Sequence, residues 1–109
     1  MKYNFNNDKV LQRIKEIIIK SAAPDKIILF GSRARGEISE NSDYDILVIK
    51  DGIQNERSVT KKINYELLNE HIEYDIDVIA TTPEKWNKNL NNIGYIYSQI
   101  NTEGIVLYE

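Results

Sequence analysis

The sequence predicts an α/β fold, a small mixed sheet flanked by helices. Apolar residues at helical spacing alternate along the chain with short, continuous apolar runs, in the order helix, strand, helix, strand, helix, strand, helix. The run at 43–49 is apolar on both faces after its first three residues, which is typical of a strand in a sheet covered by helices. A chain of 109 residues can build one core. We therefore predict a single domain over 1–109.

Three longer helices are predicted from apolar spacing and from the residues at their ends. Asp8 is among the capping candidates of the first, and Pro83 stands at the first position of the last. Gly94 can divide the last helix, whose apolar stripe is expected to pack on the core. The predicted ranges are about 8–22, about 55–71, and from Pro83 through Ile100.

Three strands are predicted, and their directions follow from the connections. The helix between the second and third strands is a crossover, which makes those two strands parallel. The end of the first strand can meet the start of the second only if these two are antiparallel, so the sheet is mixed. A short extended tail closes the chain. The ranges are 26–30, 43–49 and 74–81 for the strands and 105–108 for the tail.

Paired aspartates open the second and third strands. Asp43 and Asp45 are two apart and share a face, and parallel pairing brings Asp75 and Asp77 level with them. Unpaired carboxylates are costly at the edge of an apolar run, and several together repel unless a cation lies between them. The chain has no cysteine and one histidine, which excludes thiolate and His-rich zinc sites. Mg²⁺, which takes oxygen ligands, fits this set.

The segment after the first strand is suited to phosphate. Gly31 permits a close backbone approach, and Ser32 can both cap a short helical turn ended by Gly36 and bind phosphate oxygens. Arg33 and Arg35 add positive charge there. A phosphate site opposite a metal site indicates phosphoryl or nucleotidyl transfer, in which catalysis is mainly positioning and charge neutralisation.

Charge and hydropathy limit the function classes. The formal net charge of -3 gives no general electrostatic footprint for nucleic acid, so direct nucleic-acid binding is not expected. No signal peptide and no run long enough to span a bilayer is present. We expect a cytoplasmic protein that does not associate with membranes.

The motif residues resemble those of a known family. Gly31-Ser32, ten residues and then Asp43-x-Asp45, with a later strand aspartate in "IDVIATTPEKW", resemble the minimal nucleotidyltransferases of the DNA polymerase beta superfamily. The resemblance covers essentially the whole chain, including the closing "EGIVLYE". It implies a polymerase-beta-like nucleotidyltransferase fold.

The resemblance also implies roles for the site residues. Asp43 and Asp45 would hold two Mg²⁺ ions, and a third aspartate would help to hold one metal and would deprotonate the acceptor hydroxyl. We assign that third role to Asp77, with Asp75 as the alternative. The substrate would be a nucleoside triphosphate, ATP, with its phosphates near Gly31, Ser32, Arg33 and Arg35.

Small members of this superfamily resemble antitoxins encoded beside a helical HEPN ribonuclease toxin. We therefore predict AMP transfer from ATP to a hydroxyl, a tyrosine of a partner HEPN toxin, that silences the toxin. Longer members such as kanamycin nucleotidyltransferase carry extra helices that complete an acceptor pocket, and this sequence shows none. Two alternatives remain open: a binding module that neutralises its partner without catalysis, and a homodimeric small-molecule (antibiotic) nucleotidyltransferase.

Overall fold

The computed structural model of the protein describes residues 5–37, 43–92 and 96–109. After a short 3-10 turn at Phe5–Asn7, helices and strands alternate through the described residues. The helices are α1 (Lys9–Ala22), α2 (Gly31–Ala34), α3 (Glu56–Asn69), α4 (Pro83–Asn89) and α5 (Ile96–Glu103). The strands are β1 (Lys26–Phe30), β2 (Tyr44–Ile49), β3 (Ile76–Thr81) and β4 (Ile105–Tyr108).

The strands form one mixed sheet in the order β3-β2-β1-β4. β1 runs antiparallel to β2, and β2 runs parallel to β3, so both predicted directions are confirmed. The tail predicted as a short extended segment is an edge strand, because β4 pairs antiparallel with β1. The register of this pairing shifts between Ile27 and Ile28, and Leu107 of β4 is buried in the core, where it anchors the edge strand.

Helices cover both faces of the sheet, which confirms the predicted fold class. α1 and α3 pack on one face, where Tyr44, Ile46 and Val48 of β2 point into the larger core cluster. α4 and α5 lie on the other face, where Leu47 and Ile49 contact residues of those helices. Side chains of a strand alternate between faces, so an aspartate at the odd position 45 is directed to the α4/α5 side.

Polar side chains begin the helices as the sequence predicts, with one exception. The Asp8 carboxylate accepts the backbone N–H of Leu11 at 3.0 Å at the start of α1, and the Thr82 hydroxyl oxygen accepts that of Lys85 at 3.2 Å at the start of α4. The prediction that Ser32 caps the short helix is wrong. α2 already begins at Gly31, because β1 runs directly into it with Phe30 at the N-cap position and no capping side chain.

Two predictions fall on residues 38–42 and 93–95, which lie outside the described residues: the polar loop before β2 and the division of the last helix at Gly94. On either side of the second range, α4 ends at Asn89 and α5 begins at Ile96. In the described part of the chain, no helix combines the length and the apolar character needed to cross a membrane.

Candidate active site

The site is a row of residues that crosses three strands at one edge of the sheet. Phe30, the last residue of β1, is paired in register with Asp45 of β2, and Asp45 is paired with Asp77 of β3. Residues paired across neighbouring strands share a face. The mixed topology therefore brings the end of β1 and the starts of β2 and β3 together, although these positions are far apart in sequence.

Gly31 lies directly against the Asp45 side chain. A Cβ atom built on Gly31 would collide with the Asp45 carboxylate oxygen Oδ2 and would also crowd the carbon that bears it. Gly31 has φ +77°, a backbone conformation that L side chains rarely adopt. The group that lies close to the Gly31 backbone is the carboxylate of Asp45, and the close approach of a phosphate to Gly31 stays a prediction.

The Asp45 carboxylate lies in an environment that disfavours its charge. Its pKa is raised, first because partial burial desolvates the carboxylate and then because the charges of Asp77 and Asp43 repel it. A hydrogen bond between the carboxyls of Asp45 and Asp77 acts in the same direction, while the charge of Arg35 opposes it. The three carboxyls therefore form one interacting group. Of the two aspartates that the sequence left open, Asp77 is the one that interacts with Asp45.

Asp43 and Asp75 lie at the entrance to the strands. Asp43 immediately precedes β2 and is partly buried, whereas Asp75 is exposed and precedes β3. The backbone carbonyl of Asp75 accepts the N–H of Tyr44 at 2.9 Å, which extends the β2–β3 pairing by one residue. This main-chain bond is the contact that Asp75 makes near the site, and Asp43 acts on Asp45 through its charge.

The donor set of the site is compatible with Mg²⁺. Carboxylate oxygens are its preferred protein ligands, and Mg²⁺ is commonly held by one or two carboxylates with water and substrate phosphates completing the shell. In the described residues, no three acidic or histidine side chains are already gathered as a closed metal-ligand set. The repulsion that raises the Asp45 pKa is relieved by a cation, so the residues present fit an open site of this kind.

Arg35 supplies positive charge beside the carboxylates. Its guanidinium donates to Glu37 Oε2 at 2.7 Å and to Glu103 Oε2 at 3.0 Å. The hydrogen bond to Glu37 is the main reason that the Arg35 pKa is raised. Glu103 is the residue that sequence reasoning missed, because it lies on α5 and nothing in its local sequence links it to the α2 segment.

Arg33 is not brought to the carboxylates. It is only 6% exposed, and its guanidinium carbon lies 3.9 Å from the centre of the Tyr44 ring. Its Nη1 lies 3.7 Å from Asp8 Oδ2. Since Tyr44 points to the α1/α3 face, Arg33 lies on the side opposite Asp45. The predicted grouping of Arg33 with the phosphate site is therefore corrected.

A buried polar cluster, formed by Asp8, Arg33 and Tyr44, lies behind the carboxylates. The Tyr44 hydroxyl donates to Asp8 Oδ2 at 2.8 Å, and Asp8 Oδ1 caps α1. Burial is the main cause of a raised Tyr44 pKa, and the hydrogen bond to Asp8 adds to it, so the hydroxyl remains a donor at neutral pH. Through this cluster, Arg33 and Tyr44 are held to the start of α1. Each is next in sequence to a residue of the candidate site, Arg33 to Ser32 and Tyr44 to Asp43 and Asp45.

Comparison with known proteins assigns the fold to a family. Residues 12–109 match the sequence profile described as polymerase beta, nucleotidyltransferase. The chain belongs to this nucleotidyltransferase family, and the resemblance and enzyme class predicted from the motif are confirmed. No curated protein sequence matches the chain significantly.

Two solved structures share the fold. A proposed nucleotidyltransferase from Sulfolobus solfataricus superposes with a TM-score of 0.63 at 21% identity, over 93% of this chain and 78% of that chain. A toxin-antitoxin structure with AMP-PNP superposes with a TM-score of 0.55 at 23% identity, over 94% of this chain and 73% of that chain. Each confirms the arrangement of sheet and helices.

Proposed function

We propose that this nucleotidyltransferase transfers AMP from ATP to a hydroxyl of a partner protein, a tyrosine of a HEPN toxin, and acts as the antitoxin of that pair. The observation that carries the chemistry is the contact between the Gly31 backbone and the Asp45 carboxylate, with Asp77 directly across the strands. In the proposal, the glycine turn and the carboxylate pair act on the same phosphate group, and their contact supports this role.

In this proposal the three aspartates have different roles. Asp43 and Asp45 would hold Mg²⁺, and Asp77 would help to hold one of two ions. When bound, Mg²⁺ would supply positive charge that balances the negative charge on the phosphates as the bond between the α-phosphorus and the α–β bridging oxygen breaks. Asp77 accepts the proton of the acceptor hydroxyl, whose oxygen forms the new bond to the α-phosphorus, and pyrophosphate leaves with the electron pair of the broken bond.

The basic side of the proposed site binds the rest of the triphosphate. Ser32 and the backbone N–H groups of the turn at Gly31 bind phosphate oxygens. Arg35 is held by Glu37 and Glu103 beside the carboxylates and balances phosphate charge. Arg33 has no part in this step, since its guanidinium lies on the opposite face against Tyr44.

The assignment to a toxin-antitoxin pair is supported by fold similarity. One neighbour that shares the fold is a toxin-antitoxin structure with AMP-PNP, an adenine nucleotide analogue. A hydroxyl acceptor on a partner protein agrees with a site that lies open at the edge of the sheet. For this chain, the HEPN identity of the partner and the tyrosine acceptor follow from the motif resemblance.

The proposal is tested by incubating the protein with α-labelled ATP, Mg²⁺ and the candidate helical partner. The wild type should label the partner, and Asp43→Asn/Asp45→Asn should not. Asp51→Asn is the matched control, because Asp51 is an exposed aspartate in the turn after the other end of β2. It should transfer label at the wild-type rate.

The same variants distinguish neutralisation of the partner by catalysis from neutralisation by binding alone. A binding module that neutralises its partner by complex formation would protect cells from the partner equally well with both aspartates replaced. Labelling of an aminoglycoside instead of the protein would favour the small-molecule alternative. Absence of label on any acceptor with the wild type would refute the proposed transfer.

A further inference from the structure

Arg35 is bound by two glutamates that differ in where they are anchored. Its Nε donates to Glu37 Oε2 at 2.7 Å, and its Nη1 donates to Glu103 Oε2 at 3.0 Å. Glu37 lies two residues further along the same segment, and 64% of its side chain is exposed. Glu103 belongs to α5, and 30% of its side chain is exposed. The shorter bond therefore joins groups that can move together, whereas the longer bond joins two elements of the fold.

The end of α5 is packed directly on the sheet, which gives Glu103 a fixed position. Gly104 follows the last residue of α5, and a Cβ atom built on Gly104 would collide with Ile28 Cγ2 of β1 and with the Ile100 carbonyl oxygen. The Gly104 N–H donates to that carbonyl at 2.7 Å. Because packing this close leaves no room for the helix end to shift, Glu103 ties the Arg35 guanidinium to the sheet.

The last turn of α5 is an unfavourable place for a carboxylate. Partial negative charge accumulates on the carbonyl groups at the C-terminus of a helix, so cations stabilise this end and anions destabilise it. The last turn of α5 contains no basic residue, and the Arg35 guanidinium supplies positive charge there. Gln99 Nε2 donates to the same Oε2 of Glu103 at 3.4 Å. The favourable contribution of the Glu103 carboxylate at this position is therefore its bond to Arg35.

Arg35 lies on the side of the site where pyrophosphate would leave. The proposed proton acceptor Asp77 on β3 marks the acceptor side, and Asp45 on β2 lies between β3 and β1. The attacking and leaving oxygens are roughly in line at the transferred phosphorus, so the leaving phosphates extend toward the end of β1. There the backbone N–H of Arg35 donates to the Gly31 carbonyl at 3.2 Å, which places Arg35 one turn after the glycine.

The two bonds to the glutamates leave donors of Arg35 available for a phosphate. A guanidinium carries five N–H groups in a planar fork. In the described part of the chain, the side-chain bonds of Arg35 use Nε and Nη1, and Nη2 has no partner. Both N–H groups of Nη2 can therefore donate to phosphate oxygens while Glu103 still holds Nη1.

We propose that Glu103 is a positioning residue, which holds the Arg35 guanidinium where Nη2 binds the β- and γ-phosphates of the substrate. The inference rests on the proposed nucleotidyl transfer and adds to it the residue that fixes the phosphate-binding arginine. Glu37 does not have this role, because it belongs to the segment that carries Arg35.

Binding of inorganic tripolyphosphate, titrated by calorimetry in the presence of Mg²⁺, tests the inference without catalysis. Glu103→Gln should weaken this binding about tenfold, because the charge-assisted bond that holds the guanidinium is lost. Glu37→Gln is the matched control, since it removes the same charge from the same guanidinium. It should bind tripolyphosphate at least as tightly as the wild type, because one negative charge near the phosphates is removed.

A double-variant cycle with Arg35→Gln separates positioning from general damage to the site. If Glu103 acts through Arg35, Glu103→Gln should cause no further loss of tripolyphosphate affinity when Arg35 is already replaced. A merely structural role would weaken binding in both backgrounds, and that result would refute the positioning role. Thermal unfolding without phosphate checks that each variant is folded.

The outcomes also separate this inference from the proposed transfer. Tighter tripolyphosphate binding by Glu103→Gln would mean that Glu103 competes with phosphate for Arg35, and the inference would be wrong. Equal changes in Glu103→Gln and Glu37→Gln, or no binding by the wild type, would overturn it as well. Binding that depends on Glu103, together with no transfer to any acceptor, would refute the proposed function and support the positioning role.

Discussion

The two faces of β2 differ in how their charged groups are paired. On the α1/α3 face, the buried polar cluster pairs Arg33 with Asp8 and joins Asp8 to the Tyr44 hydroxyl, so that charges and donors are matched. On the α4/α5 face, one residue along the strand, partial burial raises the pKa of Asp45, and the like charges of Asp77 and Asp43 raise it further. Of these two adjacent residues, Tyr44 thus lies among groups whose charges are paired, whereas Asp45 lies among carboxyl groups of like charge.

This difference shows how a static structure separates a structural polar group from a functional one. A matched cluster stabilises the fold and needs nothing from outside. An unmatched cluster costs stability until a ligand of opposite charge binds, and such strain is typical of sites built for a ligand. Replacing residues on the two faces should therefore have effects of opposite sign on stability.

The largest expected effect is on activity and contrasts neighbouring residues. Asp45→Asn should lower the rate of AMP transfer about a thousandfold, because a charged group that organises the transition state is lost. Tyr44→Phe keeps the ring under Arg33 and should lower the rate less than tenfold. Initial-rate assays with saturating ATP measure both. Comparable losses in the two variants would mean that the faces do not differ in function.

The next largest effect is on stability and concerns the buried polar cluster on the α1/α3 face. Asp8→Ala removes the carboxylate paired with the buried Arg33 guanidinium and also removes the α1 cap, so the free energy of unfolding should fall by about 3 kcal/mol or more. The midpoint of thermal unfolding should fall by about 12 °C or more.

Asn55→Ala is the matched control for the cap alone, since Asn55 caps α3 without contact to the cluster. It should cost about 1 kcal/mol. Equal losses for Asp8→Ala and Asn55→Ala would show that pairing with Arg33 and Tyr44 contributes nothing.

A pair of glycines tests the contact between backbone and carboxylate. Gly31 and Gly52 have nearly the same φ, +77° and +78°, but a Cβ on Gly52 meets nothing within 4 Å. Both alanine variants carry the same backbone strain, and only Gly31→Ala also displaces the Asp45 carboxylate. It should be less stable than Gly52→Ala by about 1–3 kcal/mol and should lose transfer activity, as judged by urea unfolding and rate assays on both proteins.

The smallest expected effect is a gain in protein stability when the like charges on the α4/α5 face are reduced. Asp45→Asn removes the repulsion and should raise the stability of the metal-free protein by about 0.5–2 kcal/mol. Because the pKa of Asp45 is raised by folding, its contribution to stability is fully present below the pKa of an unfolded aspartate. That contribution is lost as pH rises through the folded pKa. The advantage of the variant should therefore grow from about pH 4 upward.

Magnesium provides the control for this prediction. With Mg²⁺ added, the wild type should gain stability through binding to the folded state, while Asp45→Asn should gain less. Melting curves in chelator and in Mg²⁺, each across pH, give the comparison. If Asp45→Asn is less stable than the metal-free wild type at neutral pH, the conclusion that the charge of Asp45 destabilises the metal-free fold is wrong.

Much of the fold and part of the site could be predicted from the sequence, because both depend on short-range pattern. The spacing of apolar residues predicts α1, α3 and the strands, and the crossover rule predicts the parallel pair. The level position of Asp45 and Asp77 near the starts of two parallel strands follows from the same patterns.

The tertiary structure alone decided which groups meet across the fold. Arg33 lies in α2 and Arg35 directly follows its last residue, and the two look alike in sequence, yet the first packs on Tyr44 and the second pairs with Glu103. Which one reaches the carboxylates depends on how α2 leaves β1 and on where α5 packs, and local spacing carries no information on either. The same reason explains why the contribution of Glu103 could not be predicted. The residue types of the site can be read from neighbouring positions in the sequence, whereas its charge balance is set by contacts between distant segments.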